Sequence, residues 1–160
     1  MPGGVARSLR GARHAPRARL ARRRDSPRRG AGFLPPTLPA RAHSGCEVLE
    51  QSFLHLELPS QSFDGVFANA VLFHVPSQVL PQVLRQLQAC LRSGGVLFSS
   101  NPRGDGQEGW NGERYGVFHD WPTWRAQVTA AGFDELDHFY RPPGLPREQQ
   151  PWLASVWRRR

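Results

Sequence analysis

The tightest constraint on how this chain can fold lies between Ser62 and Pro102. Residues 63–72, FDGVFANAVL, are almost continuously apolar, with Asp64 and Asn69 the only strongly polar members. A short run of that character fits a parallel strand covered on both faces. Residues 77–92 then carry Val79, Leu80, Val83, Leu84, Leu87 and Leu91 on one helical stripe, with Gln82, Arg85, Gln86, Gln88 and Arg92 facing water. Pro81 is tolerated only in a first turn, so the regular helix is expected to begin beside it. Gly94 is expected to supply the left-handed residue that ends the helix, and Gly95 to ease the turn into a second buried strand, residues 96–100. Strand, helix, glycine turn and strand in that order make a βαβ unit.

The flanks extend the same grammar. Residues 46–54 read as a short strand and exit loop, and residues 56–62 as a connector. Residues 101–115 are punctuated by Pro and Gly and read as a long loop, a length that compact domains keep for lids or binding loops. Asp120 is placed as an N-cap with Pro122 in the first turn. Trp121, Trp124, Val128 and Ala131 follow at helical spacing before Gly132. Residues 133–140 and 152–157 read as strands joined by the Pro-rich segment 141–151. The order β-β-α-β-α-β-β predicts an α/β sheet over residues 42–160, and 160 residues fit one domain.

Charge separates the two parts of the chain. Residues 1–41 hold 11 Arg against one acid, Asp25, whereas residues 42–160 hold 10 Arg against 12 acids. The net charge of +8 therefore lies wholly in the first segment. That segment draws 29 of its 41 residues from Arg, Ala, Pro and Gly, shows no apolar period, and is expected to be mostly disordered. Three readings stand for it. It is a basic arm for nucleic acid or anionic lipid, though no aromatic for base stacking precedes Phe33. It is an Arg-rich, acid-poor transit peptide. Or it is out-of-frame sequence from a GC-rich gene, which the complete absence of Lys favours. The last is preferred, so nucleic acid is not the expected partner. Two cysteines, Cys46 and Cys90, make neither a disulfide framework nor a metal pattern, which points to a reducing cytoplasm. No apolar run approaches the roughly 20 residues of a membrane span.

Phe63-Asp64, the run 66–70, His74 and Leu91-Arg92-Ser93-Gly94-Gly95 together resemble the second half of a class I S-adenosylmethionine-dependent methyltransferase, of the type 11 group. Ser93 stands where the family usually has Pro. The resemblance runs from about residue 41 to 160 and implies a partial Rossmann-like sheet lacking its first two strands. It implies S-adenosylmethionine as cofactor and a small-molecule methyl acceptor. Asn69 and Ala70, at a strand end, would lie beside the methionine part of the cofactor, with Ser52 and Phe53 near the adenine. His74 would face the same crevice as a substrate contact or general base, its alternative being a packing histidine. Asn101, Arg103, Trp110, Tyr115 and His119 are the candidate acceptor contacts, and no metal site is expected. Trp124, Trp152 and Trp157 are expected in the core.

The departures from the family matter equally. Members open with a buried strand and a Gly-x-Gly turn, and neither Gly3-Gly4 nor Gly30-Ala31-Gly32 follows a strand or precedes an apolar helix. An acidic residue for the ribose is absent, and Ser52 takes the place of an Asp near the adenine. Without its family neighbour, the strand at 63–72 is expected to become an apolar edge open to self-association, or to pair with the strand at 46–52. The expectation is a methyltransferase relative with impaired activity. The alternative is a non-catalytic remnant or interaction module that completes its sheet with another chain.

Overall fold

The computed structural model describes residues 17–23, 30–34 and 46–160. Its centre is a seven-stranded sheet built from β1 (Arg17–Arg23), β2 (Gly30–Leu34), β3 (Cys46–Ser52), β4 (Phe63–Asn69), β5 (Leu91–Pro102), β8 (Phe133–Arg141) and β9 (Trp152–Arg159). Across the sheet the order is β3-β1-β2-β4-β5-β9-β8. β2, β4 and β5 run parallel, β1 and β9 run against their neighbours, and β3 and β8 therefore share the direction of the centre. The carboxyl ends of β2, β3, β4, β5 and β8 thus lie along one rim. Open α/β sheets take ligands at such a rim.

One face is closed by helices α1 (Leu80–Cys90) and α2 (Trp121–Ala130). Leu80, Val83, Leu84 and Leu87 of α1 are buried against Phe63, Ala68, Leu91 and Leu97, which is the stripe expected from the apolar spacing. Asp120 caps α2 through its side chain, which accepts from Thr123 N at 2.9 Å. Trp124 and Trp157 lie in the core, and both indole N–H groups donate to the buried Ser155 hydroxyl, at 3.0 and 2.8 Å. A fully buried hydroxyl is stable only with such partners. Trp152 is half-buried at the start of β9.

The paired motifs around the helix have a packing explanation. Phe63 and Leu91 sit opposite one another and both are fully buried, while Asp64 and Arg92 beside them form an ion pair at 2.7 Å. Between these contacts and the next pair, Gly65 opposite Val96, β5 loops out through residues 92–95. Gly94 has the expected left-handed backbone, φ 73°, but lies in this bulge. The helix has already ended at Cys90, with Leu91 extended.

The α/β class is as expected, and four details differ. Within the segment 1–41, for which disorder is expected, the described residues 17–23 and 30–34 form β1 and β2, and the rest of that expectation lies outside the described residues. The sheet does not lack two strands, because β1 and β2 fill the places beside β4. β4 is consequently internal and not an apolar edge, and β3 pairs with β1 and not with β4. The physical reason is that ladder hydrogen bonds belong to the backbone: a buried strand must have both rows of N–H and C=O paired, and Gly30-Ala31-Gly32 can supply them without any large apolar side chain. Finally, the loop expected at 101–115 contains a hairpin of β6 (Gln107–Asn111) and β7 (Arg114–Phe118). Its two-residue turn opens with Gly112 at φ 59°, the position where such a turn favours glycine. Among the described residues no helix is long and apolar enough to cross a membrane.

Candidate functional site

The rim of the sheet becomes a site where β4 ends. Asn69 is exposed there, and Ala70 takes a left-handed backbone, φ 55°, with its N–H donating to Ser100 O at 2.7 Å. A left-handed alanine costs roughly 1–2 kcal/mol. Strain of this kind concentrates where a backbone must turn sharply beside a ligand. The turn leads into a 3-10 segment, Leu72–His74, in which Leu72 is buried and anchors the backbone.

That segment holds the β6–β7 hairpin over the rim. His74 Nδ1 lies 2.6 Å from Tyr115 O. A carbonyl only accepts, so Nδ1 carries the proton, and in the neutral ring Nε2 is left with its lone pair. Phe73 packs between the His74 ring, 3.8 Å away, and Phe118 at 6.0 Å. Glu108 completes the attachment by accepting from Ser77 N at 3.0 Å, Ser77 Oγ at 2.5 Å and Tyr115 Oη at 2.5 Å. Slight burial works against the charge on Glu108, but those hydrogen bonds outweigh it and hold its carboxyl below the ordinary value. Burial, together with the Glu108 hydrogen bond and charge, pushes the Tyr115 phenol up to about 12. Trp110 stacks edge-on against Tyr115 at 5.4 Å and remains 60% exposed.

The ten candidate residues thus divide. Asn69, Ala70, His74, Tyr115 and Trp110 are joined through the strand end, the 3-10 segment and the hairpin. Ser52 lies at the end of β3, its hydroxyl accepting from Leu54 N at 3.2 Å. Phe53 is buried in the core. Asn101 and His119 turn inward to a cavity of about 10 Å³ walled by Phe73, Val117, Trp124 and Leu153, room for about one water and not for an acceptor. Burial lowers the His119 pKa, against the pull of Glu108 and Asp120. Arg103 is committed to main-chain carbonyls, Nε to Gln150 O at 2.7 Å and Nη2 to Arg147 O at 2.5 Å. It ties down the connector between β8 and β9.

Sequence reasoning missed two participants. Glu108 carries no motif of its own, although Asn111-Gly112 between Trp110 and Tyr115 is a hairpin signal near it. Arg141, at the carboxyl end of β8, reaches the rim with Nη2 2.5 Å from Ser100 Oγ and 3.4 Å from Asn69 Oδ1. No local pattern marks it, because β9 separates β8 from β5 in the sheet. Cys90 is buried and its thiol is raised to about 12, chiefly by burial, so it is no nucleophile. Among the described residues no group of three or more His, Cys, Asp or Glu is placed to hold a metal ion.

Residues 31–99 match the family model of a methyltransferase domain. The match begins about ten residues before the point where the sequence motifs suggest it, and so includes most of β2. No curated protein matches the chain. Among solved structures it is similar to an S-adenosylmethionine-dependent methyltransferase from Mesorhizobium loti, at 17% identity over 68% of this chain and 67% of that one, TM-score 0.55. It is similar to the 1,6-didemethyltoxoflavin-N1-methyltransferase of Burkholderia thailandensis, solved with 1,6-didemethyltoxoflavin and S-adenosylhomocysteine bound, at 22% identity, 68% and 48% coverage and TM-score 0.58. A SAM-dependent methyltransferase from Leishmania major gives 12% identity, 74% and 48% coverage and TM-score 0.62. The chain spans about half the length of the last two. At these identities the likeness is one of fold.

Proposed function

With residues 31–99 matching a methyltransferase domain, we propose that this chain carries the acceptor-side half of an S-adenosylmethionine-dependent methyl-transfer site for a small-molecule acceptor. The observation that carries this reading is the strained Ala70 beside exposed Asn69, at the carboxyl end of a central parallel strand inside the matched segment. When bound, the cofactor supplies an electrophilic methyl group. Asn69 and the backbone at Ala70 fit its methionine portion, being polar, accessible and already bent away from the strand. The adenine side is less well provided for, since Phe53 belongs to the core and the Ser52 hydroxyl is engaged by its own turn.

The remaining work falls to positioning, water exclusion and proton removal. His74, oriented by its bond to Tyr115 O, offers Nε2 as acceptor for a proton leaving the nucleophile. Tyr115 and Trp110 on the hairpin cover the rim and exclude water. Fold alone does not fix a reaction, so the acceptor atom stays outside this proposal.

A second reading, a relative with weakened or lost activity, has one observation behind it. Gly30 and Gly32 lie within β2 and pair with Gly65 and Phe67, so they are strand residues and not a strand-to-helix turn that cradles a cofactor. Calorimetric titration of S-adenosylhomocysteine into the full chain separates the two. Micromolar binding, weakened about tenfold or more by Asn69→Leu, is the expected result. A folded sample that gives no heat of binding leaves the non-catalytic reading in its place.

A further inference from the structure

Resting on that reading of the rim, we propose that Arg141 is a carboxylate-binding residue, its guanidinium held over the ends of β4 and β5 by Ser100 and Asn69. Three observations carry it. The side chain reaches past β9 to the rim, and among the described residues its hydrogen bonds run from Nη2 alone, to Ser100 Oγ at 2.5 Å and Asn69 Oδ1 at 3.4 Å. Its Nε is buried and has no partner among the described residues. Among the described residues the ion pairs are Arg92–Asp64, Arg125–Glu135, His138–Glu135 and Arg160–Asp134, so no carboxylate neutralises Arg141. A guanidinium presents five donors in a rigid fork matched to a carboxylate, and a buried N–H without an acceptor is costly.

The residue is also prepositioned. It ends β8 opposite Trp152, and the connector that follows is fastened at several points. Gln150 Nε2 donates to Pro142 O at 2.9 Å, and Arg103 donates through its backbone N to Pro151 O at 2.9 Å and through its side chain to Gln150 O and Arg147 O. The Arg147 guanidinium lies 3.2 Å over the Tyr140 ring. Arg103 is therefore a positioning residue for Arg141 and not itself an anion clamp. A preformed cation needs little ordering on binding.

The carboxylate comes either from the methionine portion of the cofactor or from the acceptor, and one set of titrations distinguishes them. S-adenosylhomocysteine, 5′-methylthioadenosine (which lacks the carboxylate) and sodium benzoate are titrated into the full chain and into Arg141→Gln. For a cofactor carboxylate, the preference for S-adenosylhomocysteine over methylthioadenosine falls about tenfold or more in the variant. For an acceptor carboxylate, both nucleosides bind the variant as before, while benzoate binding to the S-adenosylhomocysteine-loaded chain is lost. Unchanged binding of all three overturns the proposal. If neither nucleoside binds, the methyltransferase reading falls on its own, and benzoate added to the ligand-free chain still decides the site. Loss in the variant then supports it, and equal or absent binding overturns it. Thermal melting checks that Arg141→Gln is folded; Arg141→Lys, which keeps the charge without the fork, repeats the comparison if it is not.

Discussion

His119 shows how burial alters the chemistry of a single side chain. It stacks on Trp124 with ring centroids 6.0 Å apart, and its buried Nε2 has no partner among the described residues. Burial is the main cause of its lowered pKa, and the charges of Glu108 and Asp120 offset it only in part. The folded state therefore binds its proton less tightly than the unfolded chain, whose histidines titrate near 6.5. Below that pH the unfolded state takes up more protons, so stability falls as pH drops and rises again toward neutrality. Denaturant unfolding between pH 5 and 7.5 is expected to show this slope, and His119→Gln to flatten it. An unchanged slope in the variant would assign the effect to another group.

At the scale of elements, the structure is fastened by a few polar contacts outside the apolar core. Asp120 satisfies an orphan N–H of α2, and Asp120→Ala is expected to cost about 1 kcal/mol in denaturant unfolding. A loss indistinguishable from zero would mean that water replaces the cap. The β6–β7 hairpin depends on Glu108. Because its carboxyl is held below the ordinary carboxylate range, its contribution is complete above about pH 4.5 and disappears as the pH falls through the lower folded value. Glu108→Ala is expected to bring the Tyr115 phenol part of the way from about 12 toward its ordinary value of about 10 in an ultraviolet titration, since the hydrogen bond and the charge that help raise it depart while burial stays. No movement would leave burial as the sole cause.

The helices of these elements are legible in the sequence, whereas the hairpin is signalled only at its Asn111-Gly112 turn. Helix periodicity is a property of one segment, and Leu80, Val83, Leu84 and Leu87 repeat often enough to declare it. The hairpin strands are short and largely exposed, so they carry little apolar signal. Of the proposed site, Asn69 and His74 stand within the sequence motif, whereas nothing local marks Arg141, whose partners Ser100 and Asn69 are 41 and 72 residues away.

For the molecule as a whole, the decisive feature is that β4 is paired on both sides. β2 bonds one edge over Gly30–Gly32 and β5 bonds the other from Phe63 to Asn69. Native-state hydrogen exchange is expected to give slow exchange for both alternating sets of β4 amides. Fast exchange of the set facing β2 would return β4 to the sheet edge and reinstate the aggregation hazard that an unpaired apolar strand carries. β8 is an edge strand, and Leu136 and Phe139 on it stay 44% and 40% exposed.

By itself the sequence determined what single segments declare: the apolar βαβ core, the α1 stripe, the Asp120 cap and the family motif around Phe63-Asp64 and Gly94-Gly95. Only the tertiary structure decided which strands neighbour β4, how the hairpin seats on the 3-10 turn at His74, and that Arg141 crosses to the rim. These depend on pairing between backbones and on side chains brought together from distant positions. Hydrogen-bonded ladders are indifferent to side-chain type, and a long-range contact leaves no period in the sequence to read.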